Sequence, residues 1–443
     1  MIETELERRL ALLKMGSRSL AKMSTEIKNS ILLKFAKKLE SSIQEILLSN
    51  GRDLVALRGD TSDRITPAFR DRLTLNETRI RQMAESVRAI AKLPDPVGEL
   101  VDEKTLENGL YLRRVRSPLG SILVIFESRP NVIAEIFSLA LKSGNSIALR
   151  GGSDSKETAA CLYRIIDQIL KNNFTTHTGT SAGPFAGPFV GIDDYDRDLI
   201  GRLLLRNDIF DVCIPRGGAE LIDRVSRESR MPVIKNDKGV CHLYVHEKAD
   251  LDMAVKIAVN AKTSRPGVCN AIETLLVDES ISKELFRLLM PELLKQNVKS
   301  FACETSLLNL RDIARTDRIE SPWIADVSEA QDSDFFLEYL DLKLNIKTVS
   351  GVGSAIAHIS KYGSNHSEAI VTKDEAVARR FQSEVDSACV YWNASTRFTD
   401  GFSMGLGGEI GISTQKLHVR GPVGLRELTS VRWWIDGSGQ TRV

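Results

Sequence analysis

The stretch from Leu110 to Pro130, LYLRRVRSPLGSILVIFESRP, contains the pattern that decides the fold. Polar and apolar residues alternate up to a Pro-Leu-Gly turn at 118–120, and the continuous apolar run Ser121–Phe126 follows the turn. Alternation is typical of a strand with one buried face, whereas a short continuous run is typical of a strand buried on both faces. The sequence therefore predicts two successive strands, the second of them inside a sheet.

Strands and helices continue to alternate after this stretch. Pro130 suits the first turn of a helix that ends near Gly144, and Ser146–Leu149 is typical of another buried strand. The order then repeats, with a helix over about 155–170, a strand near 209–214, a helix after Gly217-Gly218 and a strand near 232–234. This order predicts a parallel sheet with helices on both faces. Residues 174–188, rich in Thr, Gly and Pro, are expected to form a mobile loop or an insertion.

A second series of strands and helices begins at Val240–Val245 and extends to about Asp386, which indicates a separate α/β domain. The remaining tail is rich in glycine and ends in the apolar run Val431–Ile435, which includes Trp433 and Trp434. A strand so apolar needs a partner, either in the same chain or on a neighbouring subunit.

Composition limits the kinds of ligand. Among 443 residues, 60 Lys and Arg face 59 Asp and Glu, so the net charge of +1 offers no field for a nucleic acid or an anionic membrane, and a small ligand is expected. No membrane span and no signal peptide are expected. The six cysteines are never closer than 28 residues, which excludes a CxxC metal pair, so we expect no metal and a reducing, cytoplasmic setting.

Cys269 stands out within TSRPGVCNAIETLLV, residues 263–277. Arg265 lies four residues upstream, and the Pro266-Gly267 turn is suited to bringing the cysteine to a cleft. A cation and an exposed turn both favour a thiolate nucleophile. A lone cysteine is more often a small buried hydrophobe, and the residues alone leave both interpretations open.

Three other stretches carry groups suited to catalysis or anion binding, each with a structural alternative. Asn131, at a helix start, is a candidate oxyanion donor or only a helix cap. The glycines of Arg150-Gly151-Gly152 and Gly217-Gly218 allow phosphate to approach a helix N-terminus, although such pairs are also common in turns. The loop Asn393–Asp400 gathers hydroxyls and Arg397, which suit a carboxylate or phosphate as well as they suit a solvated loop.

Together these motifs resemble one family, the gamma-glutamyl phosphate reductases, a branch of the aldehyde dehydrogenase superfamily. The resemblance extends from about residue 10 to 435, with the motifs in family order. They are SPLGSILVIFESRPNV, LKSGNSIALRGG, IPRGGAELI, GVCHLYV, AKTSRPGVCNAIETLLV, VYWNASTRFTDGF and GLGGEIGISTQKLHVRGPVGL. The resemblance implies the aldehyde dehydrogenase fold, with a Rossmann-type cofactor domain, an α/β catalytic domain and a small β oligomerisation element.

The resemblance also implies a reaction. The Cys269 thiolate would displace phosphate from L-glutamyl 5-phosphate, and NADPH would reduce the resulting thioester to L-glutamate 5-semialdehyde, the second step of proline biosynthesis from glutamate. A glutamate kinase would supply the acyl phosphate, and the chain would form a homo-oligomer, a dimer or a tetramer. No general acid is needed for the phosphate leaving group, so we expect His242 to be structural.

The resemblance assigns roles to particular residues. Asn131 and the Cys269 main-chain N–H would hold the oxyanion. The implied cofactor contacts are Arg150, Gly151, Gly152, Ser153, Gly217, Gly218 and, at the nicotinamide ribose, Glu338. The implied substrate contacts are Arg129, Arg265, Ser395, Thr396 and Arg397. The implied domains are 1–98 with 119–238 for NADP(H), 239–388 for catalysis, and 99–118 with 389–443 for the substrate loop, the return to the cofactor domain and the oligomerisation strands.

Two departures from the family pattern and two rival functions accompany this interpretation. Ser153 stands where the family often has lysine, and residues 172–195 match poorly. A hydrolytic, NAD(P)-dependent aldehyde dehydrogenase on the same fold would need a general base, for which Asp237 is a weak candidate. A catalytically silent scaffold would be expected to have lost the nucleophile motif, which is intact here.

Overall fold

A computed structural model of the chain describes residues 2–57, 67–127, 129–177, 187–235, 238–316, 324 and 326–442. The chain forms two compact units. The first unit comprises Met1–Asn236, Gly405–Gly411 and Pro422–Val443, and the second comprises Asp237–Met404 and Ile412–Gly421. The functional roles predicted for the domains stay predictions.

The helices and strands of the described residues alternate along much of the chain. The helices are α1 (Ile2–Leu20), α2 (Thr25–Ser41), α3 (Ile43–Ala56), α4 (Pro67–Leu73), α5 (Glu77–Lys92), α6 (Val132–Lys142), α7 (Lys156–His177), α8 (Arg197–Leu204), α9 (Ala219–Glu228), α10 (Leu251–Thr263), α11 (Ser282–Lys295), α12 (Glu304–Thr316), α13 (Gly351–Tyr362) and α14 (Glu375–Glu384). The strands are β1 (Leu100–Thr105), β2 (Tyr111–Pro118), β3 (Ser121–Phe126), β4 (Ser146–Arg150), β5 (Phe189–Ile192), β6 (Val212–Arg216), β7 (Cys241–Val245), β8 (Ile272–Asp278), β9 (Lys299–Ala302), β10 (Val327–Glu329), β11 (Lys343–Val349), β12 (Ser367–Val371), β13 (Cys389–Trp392), β14 (Ile412–Ser413), β15 (Gly421–Pro422) and β16 (Thr429–Asp436).

The first unit contains a four-stranded parallel sheet in the order β5-β4-β3-β6. Every residue of β3 is buried, as its continuous apolar run predicts. The predicted helix after Pro130 is α6, and the predicted strand after Gly144 is β4. Because all four strands are parallel, the segments that follow β3, β4 and β6 emerge at the same edge of the sheet, where open α/β sheets bind ligands.

Two local predictions in this unit need correction. The helix expected over 155–170 continues to His177, so it takes in the start of the expected loop; residues 178–186 of that loop lie outside the described residues. The strand expected near 232–234 does not form, because Val233 makes only an isolated bridge to Cys213. Pro232 accepts a hydrogen bond there but has no N–H with which to extend a ladder.

The strand at the end of the chain finds a partner within the chain. β16 pairs antiparallel with β2, which pairs on its other side with β1. Trp433 lies opposite Arg114 and Trp434 opposite Arg113, with each guanidinium about 5.5 Å from the centre of the facing indole. The Trp433 and Trp434 residues remain 54% and 40% exposed. The predicted role of this sheet in oligomerisation stays a prediction.

The second unit is built on a seven-stranded parallel sheet in the order β10-β9-β11-β8-β7-β12-β13. Its central strands β7, β8 and β12 are entirely buried. Such strands sit between two helical layers, and their side chains fill the apolar clusters on both sheet faces. This core fixes the end of α10 and the start of β8, which together hold Cys269.

Candidate active site

Cys269 lies in the turn that joins α10 to β8, and its side chain is partly exposed. The helix ends at Thr263, two residues before Arg265, and the strand begins at Ile272. A main-chain hydrogen bond of 3.1 Å from Ala271 to Val268 closes the turn. The predicted placement of this cysteine in an accessible turn agrees with the structure, whereas Cys213 and Cys241 are buried.

Gly239, two residues before β7, packs against the main chain of Cys269. A Cβ atom at position 239 would collide with the carbonyl oxygen and the Cα of Cys269. The Gly239 N–H donates to the Glu338 carboxylate at 2.8 Å, and burial raises the pKa of that carboxylate. One carboxylate oxygen of Glu338 therefore already accepts a main-chain hydrogen bond. The contact of Glu338 with the nicotinamide ribose stays a prediction.

The loop after β13 is joined to the cysteine turn by three hydrogen bonds. The Thr396 hydroxyl donates to the Asn270 carbonyl oxygen at 2.7 Å, and the Asn270 side-chain amide donates to the Thr399 carbonyl oxygen at 2.7 Å. Arg397 Nε donates to the Ser264 hydroxyl at 3.0 Å. The predicted substrate loop is thus hydrogen-bonded to the segment that carries Cys269, the predicted nucleophile.

Within that loop, the predicted substrate residues differ in exposure. Thr396 is fully buried, and the buried Ser395 hydroxyl accepts a hydrogen bond from the Arg397 N–H at 3.3 Å. Both hydroxyls thus take part in shaping the loop, while Arg397 is partly exposed. Arg397 is therefore the better placed of the three to meet a ligand.

Two guanidinium groups and one carboxylate act near the Cys269 turn. Burial lowers the pKa of Arg397 and the charge of the exposed Arg265 lowers it further, whereas Asp400 and, less strongly, Cys269 oppose the shift. The same pair of guanidinium groups would favour a thiolate and would attract a carboxylate or a phosphate.

A buried polar network that the sequence analysis missed lies behind the turn. The Cys241 thiol donates to the Cys269 carbonyl oxygen at 3.2 Å and lies 3.6 Å from His366 Nδ1. Burial raises the pKa of the Cys241 thiol, so it remains a donor. His242 Nδ1 lies 3.0 Å from Glu368 inside the core, which agrees with the structural role expected for His242.

Asn131 belongs to the first unit and occupies the N-cap position just before α6. Its side chain is exposed and makes no capping hydrogen bond, so the alternative that it only caps its helix is wrong. Its role as an oxyanion donor stays a prediction. Arg129 is partly exposed beside it, and Ser128 lies outside the described residues.

The segment after β4 contains the predicted cofactor residues 150–153. Arg150 is buried beneath the ring of Tyr195, 5.6 Å from the ring centre, and burial lowers its pKa. A Cβ at Gly151 would press against the Phe126 ring, and Gly152 precedes the short helix Ser153–Ser155, in which Ser153 is exposed. Arg150 Nε is buried without a hydrogen-bond partner among the described residues, which fits a site for an anionic ligand.

The N-terminus of α9, where Gly217 and Gly218 were expected to meet phosphate, carries an acidic side chain of the chain itself. The Gly218 N–H donates to Glu127 at 2.9 Å, and a Cβ at Gly217 would collide with the same carboxylate. In this structure the Gly218 N–H is occupied by Glu127, and the predicted contact of Gly217 and Gly218 with the cofactor stays a prediction. A phosphate here would have to displace Glu127.

Two negative observations apply to the described residues. They contain no group of three His, Cys, Asp or Glu side chains arranged to hold a metal ion. In the same ranges no helix has the length and apolar character required to cross a membrane. Asp237, the candidate base of the hydrolytic alternative, lies outside them.

Comparison with known proteins first defines the class. Residues 4–321 match the model of the aldehyde dehydrogenase family. Each of the two units contains a parallel sheet with helices, which is consistent with that match, and the predicted fold class is confirmed.

Three relatives then define the branch. A gamma-glutamyl phosphate reductase of Carboxydothermus hydrogenoformans is 46% identical over 97% of this chain and 97% of its own length. One of Moorella thermoacetica is 46% identical over 96% of both chains. The crystal structure of the Thermotoga maritima gamma-glutamyl phosphate reductase is 40% identical, with a TM-score of 0.89 over 99% of this chain and 100% of that one. The chain belongs to the gamma-glutamyl phosphate reductase family, as its motifs predict.

Proposed function

We propose that the chain uses NADPH to reduce L-glutamyl 5-phosphate to L-glutamate 5-semialdehyde and phosphate, the second step of proline biosynthesis. The names and the near-complete coverage of its relatives support this assignment. The observation that carries it is the turn of Cys269, which is partly exposed, interacts electrostatically with Arg397 and is hydrogen-bonded to the loop 395–400.

In the proposed reaction the Cys269 thiolate attacks the acyl carbon, and the C–O bond to phosphate breaks with its electron pair. Phosphate leaves as an anion, so this step needs no general acid. NADPH supplies the hydride that reduces the thioester carbonyl. The tetrahedral adduct then collapses, its oxyanion reforms the carbonyl, and the thiolate is released from the aldehyde product.

Two groups are proposed to stabilise the oxyanion, the side-chain amide of Asn131 and the main-chain N–H of Cys269. Exposure of Asn131 and the absence of a capping bond support its availability as a donor. Arg265 and Arg397 are proposed to bind the carboxylate or the phosphate of the substrate, because a guanidinium pairs with both anions through charge-assisted hydrogen bonds. Arg129 is proposed to assist them, while Ser395 and Thr396 shape the loop.

The cofactor is proposed to bind along the carboxyl edge of the β5-β4-β3-β6 sheet, with Arg150 as a cation for its 2'-phosphate. The unpartnered Arg150 Nε supports this placement. Ser153, in place of the family's common lysine, would weaken the preference for NADPH over NADH. Gly217 and Gly218 would approach the cofactor after Glu127 moves away.

Other parts of the proposal concern partners and location. An acyl phosphate is short-lived, so a glutamate kinase is proposed to supply it. We also propose that the chain forms a dimer or a tetramer through the exposed indoles of β16. A cytoplasmic location is proposed as well, and the six cysteines without a disulfide support it.

The reverse reaction tests the proposal. Rapid mixing of the protein with glutamate 5-semialdehyde and NADP⁺, but without phosphate, is expected to yield a burst of roughly one NADPH per site and then stall. Added phosphate is expected to restore turnover by releasing the thioester. Steady NADPH formation without phosphate, with glutamate accumulating, would instead favour the hydrolytic enzyme. Failure to bind NADPH together with an unreactive Cys269 would favour a silent scaffold.

A further inference from the structure

An ion pair with no exposed surface spans the two ends of the cysteine turn. Lys262 lies in the last turn of α10, and Glu273 is the second residue of β8. Lys262 Nζ lies 2.6 Å from Glu273 Oε2, and both side chains are 0% exposed. Lys262 also donates to the Ile272 carbonyl oxygen at 3.0 Å. These contacts close a loop whose free span is residues 263–271.

The second oxygen of Glu273 reaches another segment. Glu273 Oε1 accepts a hydrogen bond of 3.2 Å from the Leu340 N–H. Leu340 follows Glu338 by two residues, and Glu338 in turn accepts the Gly239 N–H behind Cys269. One carboxylate therefore links the strand that follows the nucleophile to the segment that carries the proposed ribose contact.

Stability alone is a weak explanation for this pair. A buried ion pair loses hydration on both charges, and apolar residues of similar volume often stabilise a core as well or better. Burial raises the pKa of Glu273 to about 7 and lowers that of Lys262, so the surroundings oppose both charges. The contacts of the pair instead fix geometry, because they join the two ends of the Cys269 turn to each other and to Leu340.

We infer that Lys262 and Glu273 are positioning residues that hold the Cys269 turn and the segment 338–340 in one fixed arrangement. The pair acts through main-chain anchors at Ile272 and Leu340 and does not touch substrate. The inference rests on the proposed function insofar as Glu338 is taken to bind the cofactor. The position of the Cys269 thiol depends on the Lys262–Glu273 pair whether or not Glu338 contacts the cofactor.

The test uses a double variant, Lys262→Met with Glu273→Gln, which removes both charges and so leaves neither buried alone. The chain offers a matched control in the first unit. Lys28 lies 2.8 Å from Asp95, the two side chains are 0% and 8% exposed, and Asp95 also accepts a main-chain N–H, that of Val97. Lys28→Met with Asp95→Asn therefore removes a comparable pair far along the chain from the cysteine turn.

Three quantities are measured on each protein: kcat, KM for NADPH, and the rate at which iodoacetamide alkylates Cys269, followed by peptide mass spectrometry. For Lys262→Met/Glu273→Gln we expect kcat to fall at least tenfold, KM to rise and the alkylation rate to change at least threefold. The control is expected to stay within twofold of the wild type in all three, even if it melts at a lower temperature. Equal kcat and alkylation rates in the two double variants would overturn the inference.

A milder variant covers the case in which the double variant does not fold. Glu273→Asp keeps the charge but is one methylene shorter, so it does not reach Lys262 and Leu340 together. It is expected to change kcat and alkylation in the same direction by smaller factors, and wild-type values for both would refute the inference. If the wild-type protein had no reductase activity, the proposed function would be rejected. The positioning inference could still be tested, because alkylation of Cys269 needs neither substrate nor cofactor.

Discussion

The hydroxyl of Thr396 donates a hydrogen bond of 2.7 Å to the carbonyl oxygen of Asn270, the residue that follows Cys269. The side-chain amide of Asn270 in turn donates a hydrogen bond of 2.7 Å to the carbonyl oxygen of Thr399. The two bonds join segments that are 126 and 129 residues apart. The loop that contains Arg397 and the turn that contains Cys269 are thereby held as one structural element.

The most direct test of the proposed mechanism is to replace Cys269, the proposed nucleophile. Cys269→Ala is expected to abolish the reduction of L-glutamyl 5-phosphate, because the covalent route is lost, and to leave the NADPH dissociation constant within about twofold. Steady-state assays and NADPH fluorescence titration measure the two effects. Cys213→Ala, at a fully buried cysteine in the first unit, serves as the control and should lower stability more than turnover. More than a few per cent of residual activity in Cys269→Ala would reject the assignment.

Arg397→Ala should weaken the binding of the anionic substrate. Loss of a charge-assisted contact is expected to lower kcat/KM roughly thirtyfold, which corresponds to a loss of about 2 kcal/mol in transition-state stabilisation. The measurement is kcat/KM for the acyl phosphate or, in the reverse direction, for phosphate. Arg315→Ala is the matched control, because the Arg315 side chain is 82% exposed on α12 and pairs with the surface carboxylate of Asp312. Equal values for Arg397→Ala and the control would leave Arg397 as a scaffold residue.

Gly239→Ala should displace the nucleophile without adding or removing a charge. The added Cβ would collide with the carbonyl oxygen of Cys269, so the turn has to shift, and we expect at least a tenfold loss in kcat. Gly51→Ala is the control, since a Cβ in that helix meets nothing within 4 Å and alanine favours helix. Measured kcat values and thermal melting of both variants separate displacement from unfolding. A fully active Gly239→Ala protein would show that the turn tolerates the shift.

Glu127→Gln should strengthen cofactor binding. The Glu127 carboxylate lies at the N-terminus of α9, where the helix dipole favours an anion and where phosphate is proposed to bind. Removal of its charge is expected to lower the NADPH dissociation constant by about two- to fivefold, which corresponds to the size of a helix-dipole interaction. Fluorescence titration measures it, with Glu220→Gln in the first turn of the same helix as the control. An unchanged or weaker affinity would mean that phosphate binds elsewhere.

Much of the fold follows from local patterns in the sequence. The continuous apolar run of β3, the helix after Pro130 and the strand after Gly144 were predictable because periodicity reports which faces of an element are buried. The motif around Cys269 identified the family before any geometry was considered. These features depend on residues close together in the chain, so the sequence by itself determined them.

The tertiary structure decided which distant groups meet. Nothing in the local pattern indicates that Glu127 binds the start of a helix 91 residues later, or that Glu273 connects Lys262 to Leu340. Nor does it show that the strand expected near 232–234 reduces to one bridge at Val233. Such contacts arise only when separate elements pack, because a side chain's partner is set by three-dimensional proximity and by the need to satisfy buried polar groups. The sequence determined the elements and indicated Cys269 as the candidate nucleophile, and packing decided the partners that hold its turn in place.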